Sequence, residues 1–397
     1  MKNQITTEKI LGYVLVAWII ISSGSQHFRI YNAVPTILFL FFLSILYGGV
    51  CRKMDKSVLW RVLSIGFILL LNIMVHEKEK IDYGNIGVHI ICLCTCLFVV
   101  SGMDFSSFMV RYINVMLLEI IVSLICFVYV VILKGDALPL EYNGMDLHEN
   151  GEYNIVYLTP YYTIGWLATG GPFQRNAGIF WEPGAHAIFI NIAILFYFFY
   201  NHQKETNKLA KYKLAILVIA LLTTQSTSGF IEFILIIAYV FFSEGGKKRK
   251  HDKFIVVFMG LVVLAIGLAG GVFDKILYKI GSYGDRSRDL INGLKLSILN
   301  PIIGLGYFNN KRVYYNQMGI ENMSNGLISF IVSVGWIIGL LFLYMLFKEL
   351  KRLFAENIYQ AIIIFVLFIV FYASEPILQY VLFLTLLCGW KKRSRYA

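Results

Sequence analysis

Long apolar runs separated by short polar breaks recur along the whole chain. They fall at about 11–24, 33–50, 57–75, 84–101, 112–133, 179–200, 212–226, 228–243, 254–271, 323–347, 358–373 and 376–390. A helix needs about 20 apolar residues to cross a bilayer, so this pattern predicts about 12 membrane-spanning helices. The expected fold class is an all-α polytopic membrane protein with one integral membrane domain over residues 1–397. Lys2 and Lys9 precede the first run and Ser22-Ser23-Gly24-Ser25 follows it, which also fits a cleaved signal peptide. The rest of the topology is the same in either case.

Two connections are long, 134–178 and 272–322, while those on the opposite face are short. Connections beyond about 12–15 residues are usually functional or disordered. Both are rich in Tyr, Gly, Asn and Pro, and each holds an apolar piece: Ile155-Val156-Tyr157-Leu158 in the first, Leu294 to Ile303 in the second. These pieces point to ordered re-entrant or surface helices. The chemistry is expected on this face.

Composition agrees. With 58% hydrophobic and 15% charged residues and a mean hydropathy of +0.69, the chain is neither a soluble globular protein nor disordered. The net charge is +11. Of the 35 Lys and Arg residues, 23 fall in the short connections and at the two termini, which places those segments in the cytoplasm. All seven Pro fall on the outer side. The charge excess therefore reports orientation, not a general affinity for anions such as nucleic acid. The six Cys lie in or beside apolar runs, so no disulfide framework is visible. His89, Cys92 and Cys96 share a helix face, but no fourth ligand stands out and buried Cys is by default a small hydrophobe.

Ionisable residues at the membrane edge are the functional candidates, because each is costly in hydrocarbon. Gln174-Arg175-Asn176-Ala177-Gly178-Ile179-Phe180-Trp181-Glu182-Pro183-Gly184-Ala185-His186 runs straight into an apolar helix. Pro183 suits the first helical position, which makes Glu182 the cap. Glu182 and His186, four apart, would then share a face as a carboxylate–imidazole couple able to accept a hydroxyl proton. Arg175 would grip an anion. The same spacing also describes a plain helix cap with an interfacial His and a snorkelling Arg.

In the second long connection, Asp285-Arg286-Ser287-Arg288-Asp289 precedes Asn300-Pro301-Ile302-Ile303-Gly304-Leu305-Gly306. Arg286 and Arg288 suit a diphosphate, since a planar guanidinium binds two oxygens at once; local ion pairs with the two Asp are the alternative. Glu232, after Thr223 to Gly229, is expected to line a polar cavity opening outward, and Glu119 to satisfy a neighbouring helix. Gly335 and Gly339 read as small-xxx-small packing. Tyr161 and Trp166, within an aromatic-rich stretch, offer faces for stacking on sugar rings, although such residues also populate interfacial belts.

Arg175-Asn176-Ala177-Gly178-Ile179-Phe180-Trp181-Glu182-Pro183-Gly184 closely resembles the R-x-x-G-I-F-W-E-P-G signature of bacterial O-antigen and capsule polymerases of the Wzy type. Ser226-Thr227-Ser228-Gly229 resembles a Thr/Ser-Gly stretch that follows in that family. Arg288 with Asn300-Pro301 and Gly304-Leu305-Gly306 resembles the R … N-P-x-x-G-x-G element shared with O-antigen ligases. Ser324-Asn325-Gly326 stands where relatives often have His-Asn, so Ser324 removes that base and shifts the role to Glu182 or His186. The resemblance implies a GT-C-like glycosyltransferase of the bacterial cytoplasmic membrane, active on its outer face. It would join undecaprenyl-diphosphate-linked oligosaccharides without a cofactor or metal, with a chain-length regulator as a further partner. It also implies diphosphate or substrate contacts for Arg175, Arg286, Arg288 and Asn325. An O-antigen ligase and a lipid-linked oligosaccharide flippase are the rival readings.

Overall fold

The computed structural model describes residues 2–25, 33–51, 55–75, 83–133, 155–159, 162–166, 174–201, 208–242, 282–307, 323 and 325–391. Its helices are α1 (Lys2–Gly24), α2 (Ala33–Cys51), α3 (Lys56–Met74), α4 (Tyr83–Gly102) and α5 (Phe105–Phe127), then α6 (Pro183–Asn201), α7 (Lys208–Thr224) and α8 (Thr227–Phe241). After these come α9 (Ser282–Leu299), α10 (Gly326–Phe354), α11 (Ile358–Ser374) and the short α12 (Val381–Leu387). Among the described residues, seven helices are long and apolar enough to cross a membrane: α1 to α6 and α10. Two more, α8 and α11, are shorter but apolar. The chain is thus a helical protein built for a membrane. The run at 254–271 lies outside the described residues.

Among the described residues, three elements depart most from the sequence reading. The run at 112–133 begins earlier, at Phe105, after an extended Asp104. The run at 376–390 yields only the seven-residue α12, because Pro376 follows Glu375 in a turn closed by Ile377 N–H to Glu375 O. Third, the apolar piece of the first long connection is a strand, not a re-entrant or surface helix. There β1 (Ile155–Thr159), β2 (Tyr162–Trp166) and β3 (Gln174–Gly178) form a small antiparallel sheet in that order. Short apolar runs rich in β-branched and aromatic residues suit a strand as well as a helix.

The helices are laid around α6. Its apolar window is 89% buried against 17% for α3, so α6 is the centre of the bundle and α3 its periphery. It packs against α5, α7, α8 and β3. A helix apolar all round is buried, yet α6 carries His186 and Asn191, both fully buried. Buried polar groups need partners, and those two define the polar interior.

Helix ends are capped as the composition leads one to expect. Asp55, Ser226, Asn325 and Asn357 each turn a side-chain oxygen onto a backbone N–H of the following first turn. The long α10 is not continuous. Gly335 has φ +80° and ψ 169°, breaking the helix. The freed groups are taken by Asn300 to Gly306: Trp336 N–H donates to Pro301 O at 2.7 Å, while Leu305 and Gly306 N–H donate to Val332 O and Ser333 O. Gly304 and Gly335 face each other so closely that a Cβ on either would overlap backbone. The small-xxx-small reading of Gly335 is therefore corrected: it serves a backbone crossing, not helix-on-helix packing.

Candidate functional site

The site is built from β3, the turn after it and the start of α6. Strand β3 pairs with β2 in a register that shifts between Thr163 and Ile164, leaving Ala177 as the extra residue. A bulge re-aims its neighbours, here Asn176 and Gly178. Gly178 has φ +57°. A Cβ there would overlap Glu119 Oε1 and come within 2.9 Å of His186 Cε1, so only glycine lets the chain turn this close to those side chains. Phe180 then bridges to Ser25 at the end of α1. Pro183 opens α6, with Glu182 O accepting from His186 N–H.

His186 has no exposed surface. Its Nε2 lies 3.2 Å from Glu119 Oε2 and its Nδ1 3.4 Å from Asn176 O, with the Phe180 ring stacked 5.2 Å away. The expected Glu182–His186 couple is therefore replaced by Glu119–His186. The ring reaches back across the turn to α5, since helical side chains lean toward the N-terminus. A carbonyl only accepts, so the Nδ1 contact uses a ring N–H. Both ring nitrogens are engaged in a closed space, which suits a positioning role. Glu119 Oε1 also accepts from Ile179 N–H at 3.3 Å, so one carboxylate holds both sides of the turn.

Arg175 and Asn176 fasten the strand to two helices. Arg175 Nε donates to Thr224 O, a terminal carbonyl of α7, at 3.0 Å. Asn176 Nδ2 donates to Ser123 Oγ and Thr223 Oγ1, while its Oδ1 accepts from Gly178 N–H. Arg175 and Glu182 are half-buried where His186 and Asn176 are buried. They are the charged groups of this segment that remain within reach of a ligand.

The other candidates distribute as follows. Glu232 is fully buried and accepts from Asn191 Nδ2 at 2.9 Å. It faces α6 instead of lining an outward cavity, because α8 packs on Ala187 through Gly229. Asn325 is spent as the cap of α10, accepting from Ile328 N–H at 3.1 Å. It nonetheless lies beside the first motif: the backbone of Glu375 and Pro376 crosses Gly326, and Glu375 Oε2 accepts from Trp181 Nε1 at 3.2 Å. Arg288 is exposed on α9, and Arg286 is on the same helix. Trp166 is in β2 opposite Gln174, and Tyr161 lies outside the described residues. His89 turns to Asn85 O and Tyr307 OH, at 2.9 and 3.0 Å, not to the cysteines of its face.

Glu119 satisfies a neighbouring helix as expected, through His186 of α6, but sequence reasoning named neither that partner nor Ser123. Glu119 and Ser123 are four apart on α5 and so share a face, and a buried acid paired in spacing with a hydroxyl was the available signal. No family model, no curated protein and no solved structure matches this chain.

Proposed function

We propose that this protein polymerises lipid-diphosphate-linked oligosaccharide repeat units by glycosyl transfer, acting as a polysaccharide polymerase on the outer face of the bacterial cytoplasmic membrane. The observation that carries the reading is the seat of the Arg175 to Pro183 segment. Its uncharged members are locked by Glu119, Ser123 and Thr223, while Arg175 and Glu182 stand half-buried at its rim. About 12 spans in a GT-C-like arrangement, with both termini cytoplasmic, belong to the same proposal.

The leaving group is already a diphosphate, so the protein has to align two lipid-linked glycans and neutralise charge as it develops. Arg175, Arg288 and Arg286 supply that charge without a metal. The acceptor sugar hydroxyl attacks the anomeric carbon as its bond to the diphosphate oxygen breaks. Glu182 takes the hydroxyl proton, and His186 with Glu119 holds the turn that presents it. The test is transfer in vitro with purified protein and a lipid-linked repeat unit. A ladder of longer lipid-linked glycans is expected; lipid translocation without extension would make the protein a flippase, and transfer to a different acceptor a ligase.

A further inference from the structure

The half of α5 that leads away from the Glu119–His186 seat carries a cation without a counter-charge. Arg111 lies on α5 about 18 Å before Ser123, the residue that meets β3. It is only 8% exposed. The guanidinium is held between α1 and α2. A Cβ on Gly12 of α1 would overlap its Cζ, Nη1 and Nε, so only glycine leaves room for it. On α2, Tyr47 accepts from Nη1 at 3.2 Å, with its ring centroid 5.9 Å from Cζ. A guanidinium has five N–H donors, and Tyr47 takes one. Among the described residues Nε and Nη2 have no acceptor, and neither is sealed from the surface.

A second cation stands at the same level. Asn114, one turn along α5, donates to Tyr13 OH beside Gly12 at 2.9 Å and accepts from Lys213 Nζ of α7 at 2.8 Å. Among the described residues no Asp or Glu lies within ion-pair distance of Arg111 or Lys213. Glu8, one turn before Gly12 on α1, is half-buried and makes no ion pair with either. A buried cation is costly unless an anion faces it, so the arrangement calls for an anion from outside the chain. The level fits a lipid headgroup. The apolar span that contains Arg111 has 28 residues, about 42 Å against roughly 30 Å of hydrocarbon, so its ends reach into the polar layer. Exposed apolar side chains flank the cluster, Ile10 and Val14 on α1 and Leu46 on α2.

We propose that Arg111 and Lys213 bind the phosphate of an anionic glycerophospholipid, in the membrane leaflet opposite the β3 turn. The basic bias of the sequence makes that the cytoplasmic leaflet, which carries anionic lipid. Nε and Nη2 of Arg111 form the fork that takes two phosphate oxygens, and Lys213 adds a point charge. The exposed apolar residues of α1 and α2 carry the acyl chains. A free phosphate ion offers the same charge but gains nothing from those neighbours. The site is separate from the glycan-transfer seat and does not depend on the polymerase reading.

The probe is dioleoylphosphatidylglycerol, titrated onto the full chain in a neutral detergent, with binding of the first lipid read by native mass spectrometry. Arg111→Gln should weaken that binding about tenfold and Lys213→Gln about threefold. Lys211→Gln, which removes an exposed charge of α7 outside the cluster, should leave it unchanged. Arg111→Lys keeps the charge but loses the fork, and should fall between wild type and Arg111→Gln. Lys213 is half-buried, so Lys213→Gln tests the site even if Arg111→Gln fails to fold. Dioleoylglycerol, which lacks the phosphate, should not compete, and neither should millimolar inorganic phosphate. Unchanged affinity in either Gln variant, or equal affinity for the zwitterionic dioleoylphosphatidylcholine, would overturn the site. Displacement of the lipid by inorganic phosphate would make it a site for a soluble anion and overturn the lipid assignment, as would competition by dioleoylglycerol.

Discussion

At the scale of single residues, the Glu119–His186 pair dominates. Removing one member of a buried, bonded pair leaves the other uncompensated at a cost of about 3–5 kcal/mol. Glu119→Gln and His186→Ala should therefore each lower thermal stability sharply, and the double variant should fall well short of the sum. Additive losses in a double-mutant cycle would show that the two groups are not coupled. Gly178→Ala should also destabilise, by about 1–2 kcal/mol from the left-handed backbone alone and more from its overlap with Glu119; thermal unfolding in detergent is the measurement. Glu182 is different, because it is only half-buried. Glu182→Gln should fold normally and lose about 10²–10⁴-fold in kcat for glycan extension. Unchanged kcat would remove Glu182 as the base.

At the scale of elements, the broken α10 and the Asn300–Gly306 segment form one unit. The break exposes backbone groups that a helix would have satisfied, and non-helical backbone at membrane depth is tolerated only where protein or a cavity receives it. Asn72 supplies two of the bonds that hold this segment. Asn72→Ala should cost about 1–3 kcal/mol by leaving buried backbone groups without that partner. Asn72→Asp should recover only the contact to Tyr307 N–H, since a carboxylate cannot donate to Ile303 O. Limited proteolysis within 300–307 reads the effect, and equal resistance in wild type and both variants would count against the clamp. Gly335→Ala should be worse than Gly339→Ala, whose Cβ meets only the Ile331 side chain at 3.2 Å.

At the scale of the whole molecule, ion pairs draw the chain's far end onto its early helices. Lys391 Nζ lies 3.0 Å from Asp55 Oδ2, and Arg61 meets Glu349 and lies against Gly389. The Lys391 ammonium and the Ser57 N–H hold the Asp55 carboxyl below its usual range. A folded-state value below the unfolded one stabilises the protein above the unfolded pKa. That contribution is lost as pH falls through the folded value. Acid titration of thermal stability should therefore show a loss below about pH 4 that is smaller in Lys391→Ala. An identical acid limb in both proteins would leave the Asp55–Lys391 bridge without thermodynamic weight.

The apolar runs and the gathering of basic residues in the short connections are legible in the amino-acid order alone. They follow from the length a helix needs to cross hydrocarbon and from charge bias, both properties of local sequence. The Arg175–Pro183 segment is legible too, because a charged, proline-bearing stretch entering an apolar helix is anomalous on its face. Which groups meet across the bundle is not. His186 takes Glu119, 67 positions earlier, over Glu182 beside it, because the Gly178 turn brings α5 nearer to the ring. Glu232 is drawn to Asn191 by the close approach of α8 to α6. Gly335 becomes a break because Asn300 to Gly306 is there to receive its backbone groups. Composition and periodicity determine a helical membrane chain, since each helix satisfies its own backbone. Pairing of buried charges is left to the tertiary structure, because a charge in a low-dielectric interior takes the nearest partner in space, and distance along the chain does not measure that.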